Sequence, residues 1–80
     1  MNIRLIAFGI AKDILNTAKM EVALADPADI KSLKERLTTD YPGFAYLAKL
    51  SFAVNEEYRD DDFTLKDQDE VVIIPPVSGG

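Results

Sequence analysis

The chain ends in Pro75-Pro76-Val77-Ser78-Gly79-Gly80, and this hexapeptide carries the group best suited to covalent chemistry. Gly79 and Gly80 have no side chains, so the carboxylate of Gly80 can be threaded into a channel too narrow for a Cβ. Pro75-Pro76 favours a stiff, extended backbone and offers no N–H to a sheet. With little to pack, Val77 to Gly80 is expected to form a mobile tail, and the last five residues, extended, could reach roughly 16 Å beyond the domain. A carboxylate is a poor acyl electrophile, but its acyl-adenylate is a good one. Attack by sulfur then gives a thiocarboxylate, itself a nucleophile, while attack by a lysine amine gives an isopeptide bond. In such chemistry the small protein is a handle and the partner supplies catalysis. Gly80 and Gly79 are thus the candidate reactive residues, against the plainer alternative of a frayed, inert glycine end.

The rest of the composition favours the handle. Among 80 residues there is no Cys and no His, which removes thiol nucleophiles, disulfides, the usual general base and the commonest metal ligand. A self-contained active site is hard to build from what remains, and no metal or directly bound cofactor is expected. Hydrophobic residues make up 48% and charged residues 29%, the balance of one small globular domain. No apolar run approaches the ~20 residues that span a bilayer, and the N-terminus lacks the features of a signal peptide, so a cytoplasmic location is expected. The net charge is −5, and Glu56, Glu57, Asp60, Asp61, Asp62, Asp67, Asp69 and Glu70 face only Arg59 and Lys66 in one stretch. Such a surface repels nucleic acid and anionic membrane and would steer a basic partner protein. For any single acid, a solvated loop face that keeps the protein soluble is the simpler account.

Period-two spacing of Ile3, Leu5 and Ala7 predicts an opening strand, with Ile6 and Phe8 apolar on its other face. Gly9 frees the backbone, and residues 12–15 could form a helical turn. Met20, Val22 and Leu24 alternate within a second strand over 19–25, paired with the first. Asp26-Pro27-Ala28-Asp29 predicts a helix start, with Asp26 as cap and Pro27 at the first helical position. Ile30, Leu33, Leu37 and Tyr41 then form one apolar stripe, and Pro42-Gly43 ends the helix. Residues 50–54 predict a third strand, 55–62 a polar loop, and Phe63 and Leu65 the anchors of a short segment. Asp67 to Glu70 predicts a turn. Val71 to Ile74 is apolar throughout, as in a central strand, and Pro75-Pro76 stops it. The order ββαβ(β)β predicts an α+β roll, a mixed sheet on one main helix, with the first and last strands parallel in the middle. The domain is expected to span 1–75, with 76–80 as the tail.

In these residues, Asp67-Gln68-Asp69-Glu70-Val71 leading into Ile74-Pro75-Pro76-Val77-Ser78-Gly79-Gly80, the chain resembles the C-terminal signature of the MoaD family, the small subunits of molybdopterin synthase. The opening strand with Phe8, the Asp26-Pro27 pair and Val54-Asn55 extend the resemblance over nearly the whole chain. It implies a ubiquitin-like β-grasp fold and a sulfur carrier without catalytic residues of its own. It implies that a MoeB-like, E1-like adenylating enzyme spends ATP on Gly80 and that a sulfur donor protein supplies the thiocarboxylate sulfur. It further implies a heterotetramer with a MoaE-like large subunit, whose active site receives the tail and in which cyclic pyranopterin monophosphate takes one sulfur from each of two tails. Gln68 departs from the family pattern, which favours Gly in that turn, so either the turn type differs or Gln68 carries a small strain.

The sheet face opposite the helix is expected to dock the partner through Phe8, Ile74 and Tyr58, with Ile6 near and Pro75, Pro76, Val77 and Ser78 following into its active site. For Ile74 a core position is equally compatible with the apolar run; Phe8 is surplus to the buried face made by Ile3, Leu5 and Ala7. Three alternatives share the tail: a sulfur carrier for thiazole synthesis, a protein modifier joined to lysines through Gly80, and an interaction domain with an inert tail.

Overall fold

A computed structural model describes residues 1–47 and 49–75. In chain order these form β1 (Asn2–Ala7), α1 (Gly9–Leu15), β2 (Lys19–Ala23), α2 (Ile30–Asp40), a 3₁₀ segment (Pro42–Tyr46), β3 (Ser51–Val54), β4 (Glu57–Arg59) and β5 (Glu70–Ile74). The strands form a sheet of order β2-β1-β5-β3-β4. β1 and β5, the two most apolar strands, lie side by side and parallel, and the other neighbours are antiparallel. This is the expected α+β roll, with β-grasp topology. One face of the three central strands is buried with α2 in a single core: Ile3, Leu5 and Ala7 of β1, Val71 and Ile73 of β5, and Phe52 and Val54 of β3 join Ile30, Leu33 and Leu37. Removing that apolar surface from water is the main driving force of the fold. Among the described residues no helix is long and apolar enough to cross a membrane.

The start of α2 differs from expectation. Its cap is Asp29, and Asp26 and Pro27 lie outside the helix. The cause is long-range pairing: the Leu65 N–H donates to the Ala28 carbonyl at 2.8 Å, and Asp29 bridges Thr64, which keeps this stretch extended. Asp29 then accepts from the Ser32 N–H at 2.8 Å and the Ser32 hydroxyl at 2.9 Å. The remaining first-turn donors are satisfied from the acidic segment, Ile30 N–H by the Phe63 carbonyl and Lys31 N–H by the Asp61 carbonyl. These bonds to ionised Asp29, the Ser32 N–H first and its hydroxyl second, hold its carboxyl below the ordinary aspartate value. A depressed carboxyl pKa gives stability that is present above the unfolded-state value and lost as pH falls through the folded one. Asp29→Ala should therefore lower the melting temperature at neutral pH and flatten its fall on acidification; an unchanged acid limb in thermal melts would contradict this role.

Other local departures have equally specific causes. α1 runs from Gly9, longer than one turn, because Ala11 and Leu15 are both buried; Asn16 ends it in the left-handed region. β2 stops at Ala23, where the Arg36 guanidinium takes up the strand carbonyl at 2.8 Å. Pro42-Gly43 ends α2 and opens the 3₁₀ segment, in which Phe44 is buried. Within 55–62, read as loop, lies the edge strand β4, joined to β3 through Asn55 and Glu56, both at positive φ. Such a two-residue turn suits the sheet's twist, but without a glycine it gave little signal in the sequence. Of the acids in the 55–70 stretch, Asp69 is buried and accepts from the Asn55 amide at 3.0 Å and the Lys66 N–H at 2.8 Å. Asp67 accepts from the Asn2 N–H at 2.8 Å. These two fasten the turn before β5 to its neighbours.

Gln68 sits in that turn with φ of 68°, while Asp67 keeps a negative φ and the Asp69 N–H donates to the Lys66 carbonyl. This is the type II pattern, which favours glycine at the third position, so of the two readings of Gln68 the strained one holds. Gln68→Gly should raise the melting temperature by about 4 °C, since relief of about 1–2 kcal/mol outweighs the entropy glycine adds to the unfolded chain. A lower melting temperature would show that the Gln68 side chain contributes more than its backbone costs.

Candidate functional site

The face of the sheet away from α2 is open, and strand register fixes its layout. Cross-strand partners share a face. Lys19, Ile6, Val72, Ala53 and Tyr58 therefore form one row running from β2 to β4. One row towards the end of β5, Ile74 pairs with Ser51. Phe8 follows Ala7, the partner of Ile73, and so stands beside Ile74. In the opposite direction, Arg4 lies between Glu21 and Glu70. The face is thus charged at the start of β5 and apolar where β5 hands over to the tail.

Exposure follows this layout. Phe8 is 60% exposed and Tyr58 70%. Ile6, Val72, Ile74 and Pro75 are half-buried, and Ala53 is nearly covered. A contiguous apolar strip that runs to Pro75, the last described residue, is the arrangement expected of a docking hot spot. Between β1 and β2 the face dips into a shallow groove of about 230 Å³ lined by Arg4, Ile6, Lys19, Glu21 and Glu70. Among the described residues no cluster of His, Cys, Asp or Glu could hold a metal.

The sequence-derived site residues fall into three groups. Phe8, Ile74 and Pro75 are brought together at one end of the β1–β5 pair. Tyr58 lies two strands from β5, on β4 and not on a loop as expected, and the row through Ala53 and Val72 connects it to the others. Pro76, Val77, Ser78, Gly79 and Gly80 lie outside the described residues. Sequence reading missed Val72, although a single helix covers only one face of β5 and every second residue of its apolar run must face outward. It also missed Ile10, 45% exposed on the first turn of α1, and Tyr46, 89% exposed in the 3₁₀ segment. The adjacency Phe8-Gly9-Ile10 was a usable signal for Ile10; Tyr46 had none.

The pattern of the ThiS family matches residues 5–80, tail included. The chain belongs to the ThiS family. Among curated relatives, the molybdopterin synthase sulfur carrier subunit of Chlamydomonas reinhardtii is 34% identical over 83 residues, covering 100% of both chains. The resemblance to MoaD-type members of the ThiS family therefore extends from end to end. Subunit 1 in the complex of subunits 1 and 2 of molybdopterin-converting factor from Helicobacter pylori superposes with a TM-score of 0.69 at 26% identity, covering 100% of both chains. Small archaeal modifier protein 1 of Haloferax volcanii superposes with a TM-score of 0.83 at 14% identity, covering 95% of this chain and 98% of that one, which shows a shared fold. The ThiS-family fold is thus common to proteins named as carriers and as modifiers, and the fold alone does not choose between them.

Proposed function

We propose that this chain is the sulfur carrier subunit of a molybdopterin synthase. The observation that carries the reading is the end-to-end match to carrier subunits of that name, with the family pattern running to Gly80. The apolar strip at the root of the tail supports it, because a carrier must be held by its partner while its terminus reacts.

In this reading residues 1–75 are the handle and 76–80 the tail. The Gly80 carboxylate attacks the α-phosphate of ATP on an E1-like adenylating enzyme, releasing pyrophosphate. Sulfur delivered by a donor protein at the sulfide level attacks the acyl carbon, expels AMP and leaves the thiocarboxylate. The sheet face then docks on the large subunit through Phe8, Ile6, Ile74 and Tyr58, and Pro75 to Ser78 lead the glycines into its active site. The thiocarboxylate sulfur attacks a side-chain carbon of cyclic pyranopterin monophosphate and an oxygen substituent of that carbon leaves; hydrolysis of the acyl–sulfur bond so formed keeps the sulfur on the pterin and returns Gly80 to the carboxylate. Two carriers complete the two sulfurs of the dithiolene. The chain supplies no general acid or base to these steps; its contribution is to hold and aim the acyl group. ATP is bound by the activating enzyme.

Reconstitution tests the reading: thiocarboxylated protein, large subunit and cyclic pyranopterin monophosphate should yield molybdopterin with one carrier consumed per sulfur. Thiocarboxylate that forms but transfers sulfur only to a thiazole-forming enzyme would contradict it.

A further inference from the structure

We propose that Gly9 is a positioning residue for partner docking, acting through the aromatic ring of Phe8; this rests on the carrier reading above. Gly9 has φ of +54°, in the left-handed region that L side chains rarely adopt, and a Cβ built on it meets nothing within 4 Å. Its requirement is therefore one of backbone conformation and not of space. Phe8, just before it, is extended at φ −130° and ψ 161°, and its carbonyl accepts the first helical bonds, from Ala11 N–H at 3.1 Å and Lys12 N–H at 3.3 Å. The turn at Gly9 thus lets one residue follow β1 in extended conformation and cap α1 while its side chain, 60% exposed, takes the next outward position in register with Ile74.

The segments on either side cannot move to relieve strain at this corner. β1 is held between β2 and β5, and the Ala7 N–H donates to the Ala18 carbonyl at 2.9 Å. α1 is held by Ala11 and Leu15, both buried, and Ile14 sits against Gly43 so closely that a Cβ there would meet its Cγ2 at 3.2 Å. The residues left to rotate are Phe8, Gly9 and Ile10, which are exposed. An L residue at position 9 is accommodated by turning that corner, which swings Phe8 and Ile10 away from the tail root at little cost to the core. The expected consequence is weaker docking with the fold and the tail chemistry intact.

The test is a series, Gly9→Asn, Gly9→Ala and Gly9→Val, measured for affinity to the large subunit, for turnover at saturating thiocarboxylated carrier, and for melting temperature. Asparagine tolerates positive φ better than alanine, and alanine better than valine, so affinity should fall in that order, with Gly9→Ala weaker by about 5- to 30-fold. Turnover at saturation should stay at the wild-type value, confining the effect to KM, and affinity should not track melting temperature. If Gly9→Ala fails to fold, Gly9→Asn carries the test, since tighter binding than wild type or a loss of saturated turnover in that variant would overturn the proposal. Equal affinity across the series would overturn it as well. Wild-type protein that does not bind the large subunit at all would instead defeat the carrier reading.

Discussion

Deletion of Gly79 and Gly80 is expected to lower molybdopterin formation by at least about a thousandfold, because no other group in the chain can carry the acyl sulfur. The melting temperature should not change, since the core is closed by residues between Ile3 and Ile73. Adding a single residue after Gly80 should be as damaging as the deletion, because it leaves a carboxylate in the wrong place at the end of a narrow channel. Thermal melts and synthase assays on the two variants check both halves of the expectation. Full activity after deletion would establish the inert-tail alternative and leave the apolar face as the functional surface.

Phe8→Asp is expected to weaken binding to the large subunit by about a hundredfold, in the range of a central aromatic hot spot whose place is taken by an unpaired charge. Its effect on stability should be small, within about 4 °C of melting temperature, because the ring is 60% exposed and the buried face of β1 is made by Ile3, Leu5 and Ala7. Ile73→Ala gives the contrast: Ile73 lies at the same end of the sheet but is fully buried on its core face, and its loss should cost about 2–5 kcal/mol. Calorimetric binding and thermal melts on the pair separate docking from folding. A Phe8→Asp protein that melts far below wild type yet binds normally would place Phe8 in the core network and remove it from the interface.

How much of this was legible in the sequence depended on the range of the interactions. The parallel β1–β5 centre was legible because Val71 to Ile74 is apolar throughout, as suits a central strand, although only Val71 and Ile73 are buried and Val72 and Ile74 lie on the open face. The stripe Ile30, Leu33, Leu37 was legible because helical periodicity is local. The true start of α2 was not, because Ala28 and Asp29 are held extended by residues 64 and 65, a pairing that nothing near Asp26-Pro27 announces. β4 was hidden for a different reason: Glu57, Tyr58 and Arg59 are all exposed, so no burial pattern marks them, and the ion pair of Arg59 with Glu57 at 2.8 Å leaves no trace in spacing. Gln68 showed where residue type and backbone disagree, since its φ of 68° is one that favours glycine. The expected tail, 76–80, lies outside the described residues.

The open face of the sheet shows how topology adds to what the residues declare. Phe8 was readable as a surplus apolar group while Ile74 was equally compatible with the core, and the register of four strand pairs is what places both on one face and links them through Val72 and Ala53 to Tyr58. The same register puts Arg4 between two glutamates at the far end of the face, so that its apolar residues gather at the end where β5 runs into Pro75.

The central claim is that Gly80 carries sulfur, and its most direct test is the intact mass of the protein after incubation with an E1-like adenylating enzyme, ATP and a sulfur donor. The account predicts a gain equal to the exchange of one oxygen for sulfur, mapped by fragmentation to Gly80 and absent when ATP is withheld. An unchanged mass with an enzyme that demonstrably adenylates Gly80, or Gly80 found in isopeptide linkage to lysines in place of a thiocarboxylate, would contradict it.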